Sequence, residues 1–158
     1  NRWSGKMVFR FNGNIRQNCV FAPGGNMSFI RRALIDAGGF DEKFVGNGYF
    51  FESDASLRFT RKYPNAMVFD PRASVIHLAA PRGGARIHDL ALHHHYFVRN
   101  GLRLFRNHCP LPTYLTMFLK LFLLTLAKSL FRRDMKIFRL GLSALGFHVA
   151  SGLKKHLS

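Results

Sequence analysis

Two carboxylates, Glu52 and Asp54, open a segment whose composition predicts a helix over residues 52–63, and Pro64 and Asn65 then end it. A carboxylate at a helix N-terminus is held by backbone N–H groups and can be aimed into a cleft, where it can accept a proton. The alternative is a carboxylate that only complements the helix dipole. We therefore predict a candidate catalytic pair at this helix start.

Upstream, Gly24, Gly25 and Asn26 form a break in the apolar pattern. Glycine tolerates left-handed backbone angles and has no side chain, so these residues could let the backbone approach a bound substrate closely. In isolation the same residues would form only a turn. We predict that they contribute to substrate binding.

His77 lies in an extended run, residues 73–78, which a basic glycine-rich loop follows at 81–86. Neutral imidazole suits manganese-like ions, so His77 is a candidate metal ligand, and a hydrogen-bonded structural histidine is the alternative. Arg58 and Arg82 are candidates to meet phosphate in a substrate. A solvated arginine is the alternative for each of them.

Three consecutive histidines, residues 93–95, lie in a segment that is predicted to be helical. Consecutive helical residues point in different directions and cannot converge on one ion. We predict a structural or surface role for them.

The charge of the chain is extreme, with 24 lysines and arginines against eight acids and a formal net charge of +16 over 158 residues. An anionic partner is expected, and nucleic acid, acidic lipid and a nucleotide diphosphate all carry the required phosphate. Asp134 is the only acid after Asp89, so the excess charge lies in the tail. The two cysteines form neither a disulfide framework nor a zinc spacing, which favours a reducing compartment.

The elements that must position these residues divide the chain in two. Alternating apolar residues predict short strands near residues 7–11, 19–21, 66–69 and 73–78, with helices between them. The first of these helices should end at Gly38 and Gly39. From residue 87 onward we predict three helices, at about 87–107, 113–130 and 133–156. The last has an apolar stripe and basic flanks, whereas the middle one is apolar nearly all round but too short to cross a bilayer.

Four motifs follow one another between residues 24 and 77. They are Gly-Gly-Asn-Met-Ser-Phe-Ile-Arg-Arg, Gly-Gly-Phe-Asp-Glu, Glu-Ser-Asp-Ala-Ser-Leu-Arg and Asp-Pro-Arg-Ala-Ser-Val-Ile-His. This order resembles the second half of family 2 glycosyltransferases, which have the GT-A fold. The resemblance continues more loosely through the Tyr-Phe-Val-Arg-Asn segment at 96–100.

The resemblance implies an α/β fold, a partial GT-A (Rossmann-like) mixed sheet in residues 1–86, followed by a helical, membrane-associating extension in residues 87–158. It implies an inverting transfer of sugar from a nucleotide-sugar donor to a hydroxyl acceptor, with Glu52 as the catalytic base. The sequence departs from the commonest family pattern because Phe51 replaces an acid and Glu52 stands where Asp is more usual. The assignment between Glu52 and Asp54 therefore stays open.

No Asp-x-Asp motif, the metal-binding signature of the family's first half, occurs in the chain, and the chain begins at Asn1. We expect a fragment that is inactive by itself, with a divalent Mg or Mn ion bound mostly by a preceding half. Expected partners are a nucleotide-diphosphate sugar, a saccharide or lipid-linked saccharide acceptor, and an acidic membrane surface. The expected location is the cytoplasmic face of the cell membrane, in cell-surface polysaccharide or glycolipid synthesis.

Two other functions compete with this one. A basic nucleic-acid-binding module would explain the charge, but the aromatic residues fall on apolar stripes instead of alternating with Lys and Arg on an exposed surface. We therefore expect no nucleic-acid partner. A non-catalytic scaffold at a membrane surface is the other possibility.

Overall fold

The computed structural model describes residues 13–76, 78 and 86–156. Its elements are β1 Gln17–Asn18, α1 Arg31–Asp36, α2 Phe51–Lys62, β2 Val68–Phe69, α3 Leu90–His108, α4 Leu111–Arg132 and α5 Met135–His156. The described residues form two compact units. We call residues 13–43, 50–76 and 78 the motif unit, and residues 44–49 and 86–156 the helical unit.

The predicted α/β fold is wrong for the part of the chain that the structure describes. Its only strands, β1 and β2, are two residues each and pair antiparallel, with Gln17 opposite Phe69, and no Rossmann-like mixed sheet is formed. Of the predicted 73–78 strand, residues 73–76 and 78 are described and pair with no other described strand, and Ile76 is 89% exposed. Apolar alternation alone does not make a strand, because the backbone groups also need a partner strand. The predicted strand at 7–11 lies outside the described residues.

Helix α1 ends as the double glycine predicts. The N–H of Gly38 donates to the carbonyl of Ile35 (2.9 Å), and that of Gly39 donates to the carbonyl of Leu34 (2.8 Å). Both glycines have positive φ, 93° and 61°. This is the Schellman arrangement, in which two left-over carbonyls of the last turn are satisfied, and it requires a left-handed residue.

Helix α2 is the centre of the motif unit and lies within one residue of the prediction. It buries Ala55 and Phe59 together with Ser53, Asp54 and Ser56. Phe59 meets the ring of Phe29 edge to face at 5.1 Å between centroids. The start of the helix is thus packed through small and polar side chains, which makes its first turn a defined platform.

The three helices predicted after residue 87 are confirmed as α3, α4 and α5. They pack around a core of buried residues, Val98, Leu102, Leu121, Ala144 and Leu145. Asp89 caps α3 by accepting hydrogen bonds from the N–H groups of Ala91 and Leu92 at 2.9 and 3.0 Å. It also pairs with Lys136 near the start of α5.

Residues 44–49 belong to the helical unit although they precede α2 in the chain. Asn100 of α3 holds them with both ends of its amide. Its Oδ1 accepts from the N–H of Val45 (3.2 Å), and its Nδ2 donates to the carbonyl of Val45 (3.0 Å). A buried amide satisfied in this way fixes the loop to the helix.

Helix α4 has 22 residues and is longer than predicted. By length and composition it could cross a membrane, and it is the one described helix for which this holds. The sequence-based conclusion that it is too short was wrong, because the helix begins at Leu111 and continues to Arg132. At about 1.5 Å per residue it is roughly 33 Å long.

Candidate functional site at the start of helix α2

The Glu52 carboxylate lies beside the backbone of Gly24. A Cβ atom added to Gly24 would be 3.7 Å from Cδ and 3.8 Å from Oε1 of Glu52, and 3.6 Å from the ring of Phe51. A side chain at this position would therefore contact the carboxylate. The structure brings together the predicted catalytic glutamate and the predicted glycine turn, which are 28 positions apart in the chain.

Hydrogen bonds from both of its ends hold the Gly24 turn in place. The N–H of Ala22 donates to Oγ of Ser56 on α2 (3.2 Å), and the N–H of Asn26 donates to the carbonyl of Pro23 (3.0 Å). The Asn26 side chain donates to the carbonyl of Ala73 (2.7 Å). Asn26 thus joins the turn to the extended 73–76 segment, while Gly24 and Gly25 are exposed.

Asp54 has a different environment from Glu52. It is fully buried, and its Oδ2 accepts a hydrogen bond from Nε of Arg58 at 2.8 Å, one helical turn further on. Glu52 is half-buried and has no hydrogen-bond or ion-pair partner among the residues that the structure describes. Of the two predicted carboxylates, Glu52 is the one whose proton-accepting oxygens are available.

Arg58 links α2 to the end of α1. Its Nη1 donates to the carbonyl of Ala37 (2.8 Å) and its Nη2 donates to the carbonyl of Gly39 (2.7 Å), in addition to the bond to Asp54. A Cβ atom on Gly38 would lie 2.8 Å from Nη1, so a side chain there would displace the guanidinium. Each of the three guanidinium nitrogens therefore has an internal partner.

The chain enters α2 through an unusual backbone conformation. Phe50, the residue that precedes the helix, has φ 71° and ψ 3°, in the left-handed region that bulky residues rarely adopt. No side chain caps this helix start. Strained residues of this kind persist where the surrounding structure fixes them, often at functional sites.

Two predicted site residues, His77 and Arg82, lie outside the described residues. Within residues 13–76, 78 and 86–156, no group of three His, Cys, Asp or Glu side chains comes close enough to hold a metal ion. The described part of the chain thus offers a carboxylate and a glycine turn, and no metal centre.

The three adjacent histidines have separate structural partners, as the sequence predicts. The ring of His93 meets the hydroxyl of Tyr49 (3.0 Å), His94 meets the hydroxyl of Thr125 (2.9 Å), and Nδ1 of His95 meets the carbonyl of Leu140 (2.8 Å). His94 is fully buried. The rings point to three different neighbours, so they cannot share an ion.

Sequence reasoning missed two residues of this site, Ser56 and Phe50. Ser56 is four positions after Glu52, on the same helix face, and this spacing could have indicated that it anchors whatever lies against Glu52. The same rule applied to Asp54 and Arg58 could have indicated their ion pair. No sequence signal indicates the left-handed angle of Phe50.

The chain matches no family model, no curated protein and no solved structure.

Proposed function

We propose that this chain is the acceptor-side part of an inverting glycosyltransferase, which moves a sugar from a nucleotide-sugar donor to a hydroxyl acceptor with Glu52 as the base. The observation that carries the proposal is the position of Glu52. Its half-buried carboxylate lies in the first turn of α2 against the side-chain-free backbone of Gly24. The resemblance to family 2 glycosyltransferases points to the same two residues. Gly24 begins the first of the four motifs, and Glu52 begins the third.

In the proposed reaction the acceptor hydroxyl oxygen attacks the anomeric carbon, and its proton passes to a carboxylate oxygen of Glu52. The bond from the anomeric carbon to the diphosphate oxygen breaks, and the nucleoside diphosphate leaves with the electron pair. Attack from the face opposite the leaving group inverts the anomeric carbon. A positioned base of this kind typically contributes about a hundredfold to ten-thousandfold to the rate.

A divalent Mg or Mn ion would supply charge neutralisation for the leaving diphosphate when bound. The described residues provide no group of ligands for such an ion, so we derive no step through it. We propose that the ion is held mainly by residues outside the described part of this chain.

Asp54 and Arg58 support Glu52 in this proposal without touching the reacting atoms. Asp54 is buried and bonded to Arg58, and Arg58 also holds the carbonyls of Ala37 and Gly39. This arrangement fixes the first two turns of α2, and with them the direction of the Glu52 side chain. We therefore propose positioning roles for both residues.

The proposed acceptor is a saccharide or a lipid-linked saccharide at the cytoplasmic face of the cell membrane, in cell-surface polysaccharide or glycolipid synthesis. The net charge of +16 supports an acidic membrane surface as a partner. The nucleotide-sugar donor is the second anionic partner.

The test is the substitution Glu52→Gln in the natural protein, assayed by release of nucleoside diphosphate from a panel of nucleotide sugars with saccharide acceptors. We expect the transfer rate to fall about a hundredfold or more, because the amide cannot take the proton. Glu42→Gln, which changes an exposed carboxylate of the same unit, is the matched control and should leave the rate unchanged. Full activity of Glu52→Gln would remove the base assignment, and an unchanged biological effect without any transfer would indicate a scaffold.

A further inference from the structure

Helix α4 exposes a row of leucines and fully buries hydroxylated side chains. Its fully buried residues are mostly small and hydroxylated, namely Thr113, Thr125 and Ser129, with Leu121. Three aromatic residues, Tyr114, Phe118 and Phe122, pack against the core and are partly buried. Several leucines are exposed instead. We call this set the leucine face: Leu111, Leu115, Leu119, Leu123 and Leu130.

The packing between α4 and α5 is close because it uses small residues. A Cβ atom on Gly141 of α5 would lie 2.3 Å from Cγ2 of Thr125, so the threonine side chain packs directly against the glycine backbone. The Thr125 hydroxyl donates to the carbonyl of Leu121 (2.8 Å) and also meets the ring of His94. Small residues and interhelical polar contacts are the means by which helices associate where the surroundings are apolar.

The C-terminal end of α4 and the α4–α5 turn carry more positive than negative charge. Exposed Arg132 and Arg133 follow the leucine face, as does Lys136, which pairs with Asp89, and α4 itself contains no acid. Asp134 is the only acid after Asp89. An apolar face with a basic border matches a bilayer with anionic head groups, since the leucines enter hydrocarbon while the cations meet phosphate.

We infer that the leucine face of α4 inserts into the acyl-chain region of an anionic membrane, with the helix lying along the surface. A membrane-crossing orientation is disfavoured by Lys120, which is exposed halfway along the helix. In a helix that crosses the bilayer, its charge would lie near the bilayer centre, where a charge is costly. At about 100° per residue it lies roughly a quarter turn from the leucine face, at the level of the head groups when the helix lies flat.

This inference assigns the membrane contact to a particular face of the tail. The sequence predicts a membrane-associating helical tail without choosing a face, and the apolar stripe of its last helix is divided, with Leu145 in the core and Met135 and Val149 exposed. The inference extends the proposed membrane partner and does not depend on the chemistry at Glu52.

The experiment is co-flotation of the complete chain with vesicles of phosphatidylcholine alone and of phosphatidylcholine mixed with phosphatidylglycerol. The test variant is Leu119→Asp with Leu123→Asp. The control, Ile30→Asp with Ile35→Asp, adds the same charge at aliphatic residues of the motif unit, and Leu119 and Ile35 are similarly exposed, at 56% and 59%. We expect the test variant to lose at least about tenfold in affinity for the mixed vesicles, and the control to bind like the unsubstituted chain.

A second measurement remains valid if the double aspartate variant fails to fold. With Trp3 replaced by Phe, a tryptophan is placed by Leu119→Trp or, as control, by Ser143→Trp on an exposed position of α5. Lipids brominated in the acyl chain should quench the fluorescence of the first tryptophan more strongly than that of the second. Equal quenching would overturn the inference.

Three further outcomes would overturn it: equal vesicle binding by the test and control variants, equal binding to neutral and anionic vesicles, and a leucine-dependent dimer that does not bind vesicles. Glu52→Gln should bind vesicles like the unsubstituted chain. A failed vesicle experiment therefore leaves the proposed transfer reaction to be decided by its own assay.

Discussion

The two units of this protein treat polar groups in opposite ways. The motif unit buries the Asp54 carboxylate, which pairs with Arg58, and leaves the Glu52 carboxylate half-buried beside a glycine turn, with no ion-pair partner among the described residues. The helical unit buries neutral polar groups such as Thr125 and His94 beside its aliphatic core, and its helix α4 exposes a row of leucines. One unit is thus organised around a polar site, whereas the other combines a core with an exposed apolar face.

The free cysteines allow each unit to be followed separately. Cys19 belongs to the motif unit and Cys109 to the helical unit, and both are half-buried. Burial raises the pKa of the Cys19 thiol, which slows its reaction until the unit opens. Thiol labelling during urea unfolding, read by mass spectrometry at each cysteine, therefore reports the stability of each unit.

The largest effect is expected for Arg58→Ala. It leaves the Asp54 carboxylate buried without its guanidinium partner and frees the carbonyls of Ala37 and Gly39. Loss of one partner of a buried ion pair typically costs about 3–5 kcal/mol in the free energy of unfolding. The labelling midpoint of Cys19 should fall accordingly.

Arg61→Ala is the matched control for Arg58→Ala, since it removes an exposed arginine from the same helix. It should change the free energy of unfolding by no more than about 0.5 kcal/mol. Equal effects of the two substitutions would show that the buried pair does not organise the motif unit.

The next effect tests the small-residue contact of the helical unit through two glycines of α5. Gly141→Ala places a methyl group against Thr125, whose hydroxyl is already bonded to Leu121 and His94, so the threonine cannot rotate away freely. Overpacking of this kind typically costs about 1–3 kcal/mol. The Cys109 labelling midpoint should fall.

Gly146→Ala should have the opposite sign. An added Cβ atom at Gly146 meets nothing within 4 Å, and alanine favours a helix over glycine by up to about 1 kcal/mol. If both substitutions stabilise the helical unit, α4 and α5 do not pack closely at Gly141, and the contact with Thr125 is wrong.

The sequence predicted what local signals determine. The helix stop at Gly38 and Gly39 and the helix at 52–63 follow from residue types within a few positions, and both are confirmed. The glycine turn and Glu52 were each predicted, but their contact was not, because it depends on the hydrogen bond between Ala22 and Ser56. The sheet was wrong for the same reason: strand pairing joins distant residues, and no local pattern specifies a partner.

In the helical unit, local signals predicted that the helices exist but not which of their faces are buried. The three helices were predicted within about three residues of their bounds, since their periodicity is local. An apolar stripe was predicted for α5, but no buried face for α4, whose sequence is apolar nearly all round. The structure shows that α4 packs Leu121 and Phe118 against the core, buries Thr125 and Ser129, and exposes Leu119.

A smaller effect is expected at the end of α1. Two adjacent glycines there distinguish the cost of backbone strain from the cost of a steric clash. Both have positive φ, so alanine at either is strained by about 1 kcal/mol. Only Gly38→Ala also meets Arg58, at 2.8 Å from Nη1, whereas a Cβ atom on Gly39 meets nothing within 4 Å. Gly38→Ala should therefore lower the Cys19 labelling midpoint more, by about 1–2 kcal/mol in all, and equal effects would contradict the role of Arg58 as a link to α1.

The smallest effect is a pH dependence that only the helical unit should show. The Thr125 hydroxyl donates its hydrogen bond to the carbonyl of Leu121, so it can only accept one from the ring of His94. Nε2 of His94 therefore carries the hydrogen and donates to Thr125. Nδ1 of His94, which lies 3.5 Å from Nζ of Lys128, is left as an acceptor. Burial, and then the nearby Lys128 with His93 and His95, lower the pKa of His94 to about 4.

The sign of the effect follows from the direction of that shift. Between about pH 6.5 and 4 the unfolded chain binds a proton at His94 that the folded unit excludes, so stability must fall as the pH falls through this window. The change should be at most about 1 kcal/mol between pH 7 and 5.5. His148 of the same unit also has its pKa lowered to about 4, chiefly by burial, and contributes a dependence of the same sign. Cys109 labelling should therefore show that His94→Gln weakens the pH dependence without removing it, while Glu52→Gln in the motif unit leaves it unchanged. A dependence that survives His94→Gln in full would show that His94 does not contribute to it.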